Sequence, residues 1–220
     1  MLFVLFIVEL LTLITGLFSL SKNRPVILYP ILGLTLLALI NENIIIAHSQ
    51  QWWGISRNLC YNIFSLVEIS AWSFIFYIIF SKYPNLKRFV IISWAFIIIY
   101  SLIELFFLYS FNEFHIRSYM FFCIFSLACA CIYIVLVTIK DYHQLSTDPT
   151  FWLCAAAISF NSVFFINLLT IADSRYWKLS HATEIFDVLQ SSALIIYYIF
   201  ICTAFITSCY SYRKLPGPAL

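Results

Sequence analysis

Seven apolar stretches constrain the fold of this 220-residue sequence more than any other feature. A helix of about 20 mainly apolar residues is long enough to cross a bilayer. Hydrophobic residues make up 63% of the chain and charged residues 10%, whereas soluble domains contain about 45–50% and about 25%. The sequence therefore predicts an all-α polytopic integral membrane protein, a seven-transmembrane-helix bundle with spans at 2–20, 26–47, 59–80, 89–110, 119–139, 151–172 and 185–210.

The connectors between these stretches are short, so we expect one transmembrane domain over residues 1–212 and a short cytoplasmic tail over 213–220. The N-terminus has no positively charged region and no small-residue cleavage site, which predicts that the first span is retained. Of the 12 lysines and arginines, eight fall on one side of the predicted membrane and four on the other. Because cytoplasmic loops are enriched in these residues, we predict an external N-terminus and a cytoplasmic C-terminus.

The acidic residues are distributed even more unevenly than the basic ones. Eight of the ten lie near the midplane, in the outer halves of spans or in outer connectors. An ionisable residue at the centre of a span costs roughly 2.5–3.5 kcal/mol on insertion scales and marks a functional site by default. The third span also places four polar residues on one helical face, at Asn58, Asn62, Ser65 and Glu68. This pattern predicts a polar pocket that opens outward.

Facing the polar stripes inward keeps them out of lipid, so we expect spans one to four, six and seven to bound the pocket. The fifth span is mainly apolar and is predicted to be peripheral, and we interpret most aromatic residues as lipid-facing. An alternative interpretation assigns the amide side chains to interhelical hydrogen bonds alone. The candidate ligand-binding residues are Glu9, Asn41, Glu42, Asn62, Glu68, Glu104, Asn167, Glu184 and Asp187.

Motifs for catalysis and cofactor binding are missing from the sequence, which has no GxGxxG, GxxxxGK or GxSxG and no lysine in the last span to hold retinal. It also lacks the HxxxH pair of zinc-dependent seven-helix hydrolases, although His181 lies three residues before Glu184 and leaves metal binding as an alternative. The seven cysteines form no CxxC pair and are interpreted as small apolar residues. A net charge of +2 without a basic run argues against nucleic acid. We therefore predict no cofactor, no metal and no catalytic residue.

Two short motifs, Ile40-Asn41-Glu42 and the run from Leu59 to Glu68, resemble those of a large family of small bacterial seven-helix membrane proteins. In that family an Asn-Glu pair closes the second span and a Tyr-Asn-Ile motif opens the third. The matching positions here are Asn41, Glu42, Tyr61 and Asn62. The resemblance implies a multi-pass protein of the bacterial inner membrane. Members are often encoded beside histidine kinases or response regulators, which implies a membrane-bound signalling partner such as a histidine kinase.

These observations favour a sensor-like membrane protein that binds a small ligand in the outward pocket and signals through a partner. A partner is required because no connector is long enough to fold into an effector of its own. A small-solute transporter is the first alternative, and a membrane enzyme that modifies lipid with two converging carboxyl groups is the second. The sequence predicts contact with the lipid bilayer and does not indicate an oligomeric state.

Overall fold

The computed structural model describes residues 2–20, 26–41, 56–108, 113–140, 142–172 and 180–213. Side chains are described at 4–19, 26–41, 56–108, 113–139, 145–170 and 188–209. These parts of the chain contain seven α-helices and no strand: α1 Leu2–Leu20, α2 Leu28–Ile40, α3 Arg57–Ile79, α4 Pro84–Ile103, α5 Ile116–Lys140, α6 Pro149–Ala172 and α7 Ser180–Arg213. The predicted all-α class is confirmed.

Five of these helices, α3 to α7, are long and apolar enough to cross a membrane. The described apolar parts of α1 and α2 are shorter, at Val4–Ser19 and Leu28–Ile40. The predicted second span extended to residue 47, but residues 42–47 lie outside the described residues. α4 begins at Pro84, five residues before the predicted start of the fourth span at residue 89. Proline is favoured at the first position of a helix, where its missing N–H has no partner to lose.

Side chains at the helix ends define where two spans begin. The Ser56 hydroxyl accepts a hydrogen bond of 3.3 Å from the backbone N–H of Leu59 and caps α3. Asp148 precedes Pro149 and accepts a bond of 2.9 Å from the N–H of Thr150. The other carboxylate oxygen of Asp148 accepts from the Tyr133 hydroxyl, so the same residue ties the start of α6 to α5.

The helices pack as a closed ring in the order α1, α7, α6, α5, α3 and α2, with α2 returning to α1. α4 contacts α3 and α5 from outside this ring, because α3 and α5 also contact each other directly. The prediction that the fifth span is peripheral was therefore wrong, and α4 holds that position. The fifth span was misplaced because its inward face is mainly apolar and aromatic, with the small polar residues Ser118 and Ser126 and no acidic or amide side chain to form a polar stripe.

Large apolar side chains on α4 are exposed, including Ile92 at 69% and Phe96 at 53%. The aromatic interior is equally clear, since Trp72, Phe76 and Phe122 are almost fully buried. The prediction that most aromatic residues face lipid missed this interior. An apolar exterior on helices of membrane-spanning length is the surface of an integral membrane protein.

Candidate ligand-binding cavity

A cavity of about 410 Å³ lies inside the ring, between α2, α3, α5, α6 and α7. It is near the end of the bundle where α3, α5 and α7 begin, because its wall uses their N-terminal parts and the C-terminal parts of α2 and α6. Its described lining residues are Leu34, Thr35, Ala38, Asn58, Tyr61, Phe64, Ser65, Glu68, Phe114, Tyr119, Phe160, Phe164, Asn167, Leu168, Gln190, Leu194, Tyr197 and Tyr198. The volume is within the range of about 300–1,000 Å³ that small-molecule sites occupy.

Glu68 is the one acidic residue among the described lining residues, and none of them is a lysine, arginine or histidine. It is half-buried on α3, and its Oε2 accepts a hydrogen bond of 2.5 Å from the Tyr119 hydroxyl of α5. Helical spacing brings Asn58, Ser65 and Glu68 to the same wall, as expected for residues seven and ten positions along one face. The carboxylate is therefore held in place by one neighbour and available to the cavity.

Aromatic rings form a continuous wall next to this carboxylate. Tyr119 of α5 contacts Phe164 of α6 with ring centroids 5.0 Å apart, and Phe164 contacts Phe160 at 5.2 Å. Phe160 contacts Tyr197 of α7 at 5.4 Å, and Tyr197 contacts Tyr198 at 5.1 Å. Such ring pairs add roughly 0.5–1.5 kcal/mol beyond the area they bury. Their rigidity preserves the shape of the wall across three helices.

Polar side chains also contribute to the cavity wall where α6 meets α7. The Asn167 amide nitrogen donates a hydrogen bond of 2.7 Å to Oε1 of Gln190. Both residues line the cavity, so a molecule that enters near them meets an amide pair rather than lipid-like surface. Gln190 was not among the predicted residues, because a single glutamine in an apolar span gives no helical stripe.

Asn62 is buried beside the cavity but does not line it. Its amide nitrogen donates to the backbone oxygen of Glu113 at 2.8 Å, and its Oδ1 accepts from the backbone N–H of His115 at 3.1 Å. Asn62 therefore bonds the segment that leads into α5 rather than a neighbouring helix. By fixing this segment it helps to position Phe114, which does line the cavity.

Glu104 lies in a second buried polar cluster, at the start of a π-helical turn that ends α4. Its Oε2 accepts a hydrogen bond of 2.9 Å from the backbone N–H of Ser118. Its Oε1 and the Nε2 of His115 are buried and have no hydrogen-bond partner among the described residues. Burial lowers the pKa of His115, and the Glu104 carboxylate partly offsets this effect. This cluster ties α4 to α5 and is separate from the described cavity wall.

The remaining predicted residues do not join the described cavity wall. Glu9 is 1% exposed on α1, one helical turn before Thr12, whose hydroxyl lies 3.1 Å from Sγ of Cys202 on α7. Asn41 is 5% exposed just after α2. Glu42 and the side chains of Glu184 and Asp187 lie outside the described residues. Of the nine candidates, the structure thus brings Glu68 and Asn167 to one cavity. That they bind a ligand stays a prediction.

Cysteine and metal chemistry give no second site in the part of the chain that the structure describes. All seven cysteines are free thiols. No three His, Cys, Asp or Glu side chains lie close enough together to hold a metal ion among those residues. The cavity around Glu68 is therefore the candidate functional site.

Comparison with protein-family profiles, with curated proteins and with solved structures gives no match for this chain. Its class follows from the fold and the surface alone. The protein is a helical, multi-pass integral membrane protein with a ligand-sized cavity inside its ring of helices.

Proposed function

We propose that the protein is a membrane-embedded receptor that binds a small molecule in the cavity around Glu68. The single observation that carries this proposal is the combination of one carboxylate with a preformed cavity of about 410 Å³. A structural role alone does not account for a carboxylate at this place, because Asn or Ser makes interhelical hydrogen bonds at a lower desolvation cost. A cavity that is mostly apolar with few converging polar groups is typical of small-molecule sites.

The mechanism follows from the helices that meet at the cavity. A ligand that contacts Glu68 changes what the Tyr119 hydroxyl bonds, and this contact joins α3 to α5. A ligand that reaches Asn167 changes the amide pair between α6 and α7. A ligand shifts a packing equilibrium by its difference in affinity for the two arrangements. The proposed output is a change in how α3, α5, α6 and α7 pack.

The proposal includes a topology of seven spans with the N-terminus outside, in the bacterial inner membrane. In this topology the cavity lies in the outer half of the bundle. The cytoplasmic face then carries the connector around Phe80–Lys82, with exposed Lys82 and Arg88 beside it. Lys87 is held over the Tyr77 ring at 4.1 Å. A membrane-bound signalling partner, such as a histidine kinase of the kind encoded beside the resembling family, would read the packing change from this face.

The test of ligand binding uses a variant that fills the cavity and a matched control on the same helix. Ala38 lines the cavity from α2, whereas Leu36 is 43% exposed to the outside. Thermal unfolding of the purified chain in lipid nanodiscs is measured against a chemically diverse set of small molecules. Binding to the folded state raises the unfolding temperature. We therefore expect some compounds of the set to raise the unfolding temperature of the wild type and of Leu36→Phe, but not that of Ala38→Phe.

Compounds that stabilise all three proteins equally, or none of them, would contradict a binding site in this cavity. The output is tested by crosslinking in native membranes, where we expect recovery of a second membrane protein. If only self-crosslinks form, and the purified protein moves a solute across liposomes, the transporter replaces the receptor. The lipid-enzyme alternative needs two converging carboxyl groups, and the described wall contributes one, at Glu68.

A further inference from the structure

We propose that the ligand of this cavity is an organic cation whose alkylated ammonium group sits between Glu68 and the aromatic wall. This inference rests on the proposed receptor function and narrows it to a class of ligand. It depends on three features of the described wall: its charge balance, its rings and its size.

The charge balance of the wall is one-sided. Eighteen described residues line the cavity, and Glu68 is the one carboxylic acid among them, while none of them is a lysine, arginine or histidine. Tyr119 offers the carboxyl group a neutral hydroxyl, so none of the described lining residues supplies a positive charge to pair with it. A carboxylate removed from water is costly unless an opposite charge pairs with it. A cationic ligand supplies the charge that this wall lacks.

The aromatic rings favour a particular kind of cation. Eight of the eighteen lining residues are Phe or Tyr, and the chain from Tyr119 through Phe160 to Tyr198 is continuous. Aromatic faces attract ammonium groups, and cages of such rings recognise quaternary ammonium in particular. A primary ammonium has three N–H donors that each require an acceptor when buried. An alkylated ammonium has fewer donors or none, so it suits a wall made mostly of rings.

The size of the cavity and its amide side chains indicate what the rest of the ligand is like. A volume of about 410 Å³ leaves room beyond a single ammonium group. The Asn167–Gln190 amide pair lies on the same wall and provides hydrogen-bonding groups for a polar end. A neutral apolar occupant, such as a lipid chain, would offer no charge to Glu68 and no further hydrogen bond to this amide pair. The wall therefore fits a cation with a small body and one polar group.

The experiment compares matched probes on the full chain in nanodiscs by isothermal titration calorimetry. Choline and 3,3-dimethylbutan-1-ol have the same shape and differ in charge, and ethanolamine keeps the charge without the methyl groups. Benzyltrimethylammonium is the larger cation that tests size. We expect choline to bind at least about tenfold more tightly than its neutral isostere and more tightly than ethanolamine. Equal affinities for choline and the isostere, or no binding by either quaternary cation, would overturn the inference.

Variants locate the site. We expect Glu68→Gln to weaken choline binding by about tenfold or more and to leave the neutral isostere unchanged. Phe160→Leu should also weaken choline, and this second variant keeps the test valid if Glu68→Gln does not fold. Glu113→Gln and Phe74→Leu are the controls, because both residues are exposed and outside the described wall. Unchanged choline binding in both Glu68→Gln and Phe160→Leu would place the cation elsewhere and overturn the assignment.

The outcomes separate this inference from the receptor function on which it rests. If other compounds stabilise the wild type but not Ala38→Phe, while the quaternary cations do not bind, the receptor stands and the cation is wrong. If Ala38→Phe binds every compound as the wild type does, the cavity is not a ligand site and both proposals are wrong.

Discussion

Asn62 shows how one side chain can organise the region around the cavity without lining it. Its two amide atoms bond the backbone of Glu113 and His115. We expect Asn62→Leu to lower the free energy of unfolding by about 1–3 kcal/mol, because it leaves a buried donor and acceptor without partners. The measurement is unfolding in a denaturing detergent, followed by circular dichroism.

Asn85→Leu is the matched control for this prediction, since Asn85 is exposed near the start of α4. It should change the free energy of unfolding by less than about 0.5 kcal/mol. Asn62→Asp keeps the acceptor for His115 but sets a buried carboxylate oxygen against the Glu113 carbonyl oxygen, so it should also be less stable than the wild type. An Asn62→Leu protein as stable as the Asn85→Leu protein would contradict a stabilising role for the Asn62 bonds to Glu113 and His115.

His115 gives the protein a predicted sensitivity to acid. Burial lowers its pKa from the ordinary value of 6.5, so the folded protein holds it neutral where the unfolded chain binds a proton. The contribution of neutral His115 to the free energy of unfolding is therefore fully present above about pH 6.5. It is lost as the pH falls from that value to the lower pKa of His115 in the folded protein. We expect His115→Gln to reduce the fall in unfolding temperature between pH 7.5 and pH 5.5.

The neighbouring Glu104 provides an internal check on this sign. Its carboxylate raises the pKa of His115 against the effect of burial. Glu104→Gln removes that charge, so the pKa of His115 should fall further and the acid sensitivity should increase. An unfolding temperature with the same pH dependence in the wild type and both variants would show that His115 titrates alike in the folded and unfolded chain.

At the scale of helices, Gly16 sets how closely α1 approaches its neighbours. A Cβ atom at Gly16 would lie 2.5 Å from Cδ1 of Leu32 on α2 and 3.0 Å from the Phe205 ring on α7. We expect Gly16→Ala to lower the free energy of unfolding by about 1–3 kcal/mol, because the added methyl group would overpack the contact with Leu32 and Phe205. The measurement is again unfolding in a denaturing detergent.

Gly33 on α2 provides the control for the same substitution, since a Cβ atom there meets nothing within 4 Å. Alanine is favoured over glycine in a helix by about 1 kcal/mol, so Gly33→Ala should be neutral or stabilising. Equal effects of the two substitutions would mean that helix propensity, rather than the contact of α1 with α2 and α7, decides the stability at Gly16.

The sequence predicted the elements well and their neighbours poorly. Apolar runs located helices such as α3 within a few residues, because burial in lipid requires a fixed length of apolar chain. Helical spacing also placed Asn58, Ser65 and Glu68 on one wall. Spacing does not encode which helix lies opposite, so Glu104 was grouped with Glu68 although it bonds the backbone at Ser118. Tyr119 was missed because an aromatic residue in an apolar span looks the same whether it faces lipid or a cavity.

At the scale of the whole molecule, ring closure explains why a cavity exists at all. α1 packs on both α2 and α7, so the first and last helices meet and six helices enclose a common interior. Apolar and aromatic side chains fill most of this interior, with Trp72 and Phe76 almost fully buried. The cavity remains toward one end, where Glu68 and the rings around it form its wall. The direction in which that end faces therefore decides from which compartment a ligand of the proposed site would come.

The distribution of lysine and arginine makes a prediction about that direction. With eight basic residues on one side and four on the other, the cavity end should face outward. A reporter fused after Leu220, or inserted near Ser81, should behave as cytoplasmic, and one inserted in the stretch 48–58 as external. Paired reporters, one active in the cytoplasm and one active outside, provide the control, since each site must be positive with one and negative with the other. The reversed pattern would place the cavity on the cytoplasmic side, so that its ligand would have to come from inside the cell. If the reporters after Leu220 and in the stretch 48–58 lie on the same side, the predicted number of spans is wrong.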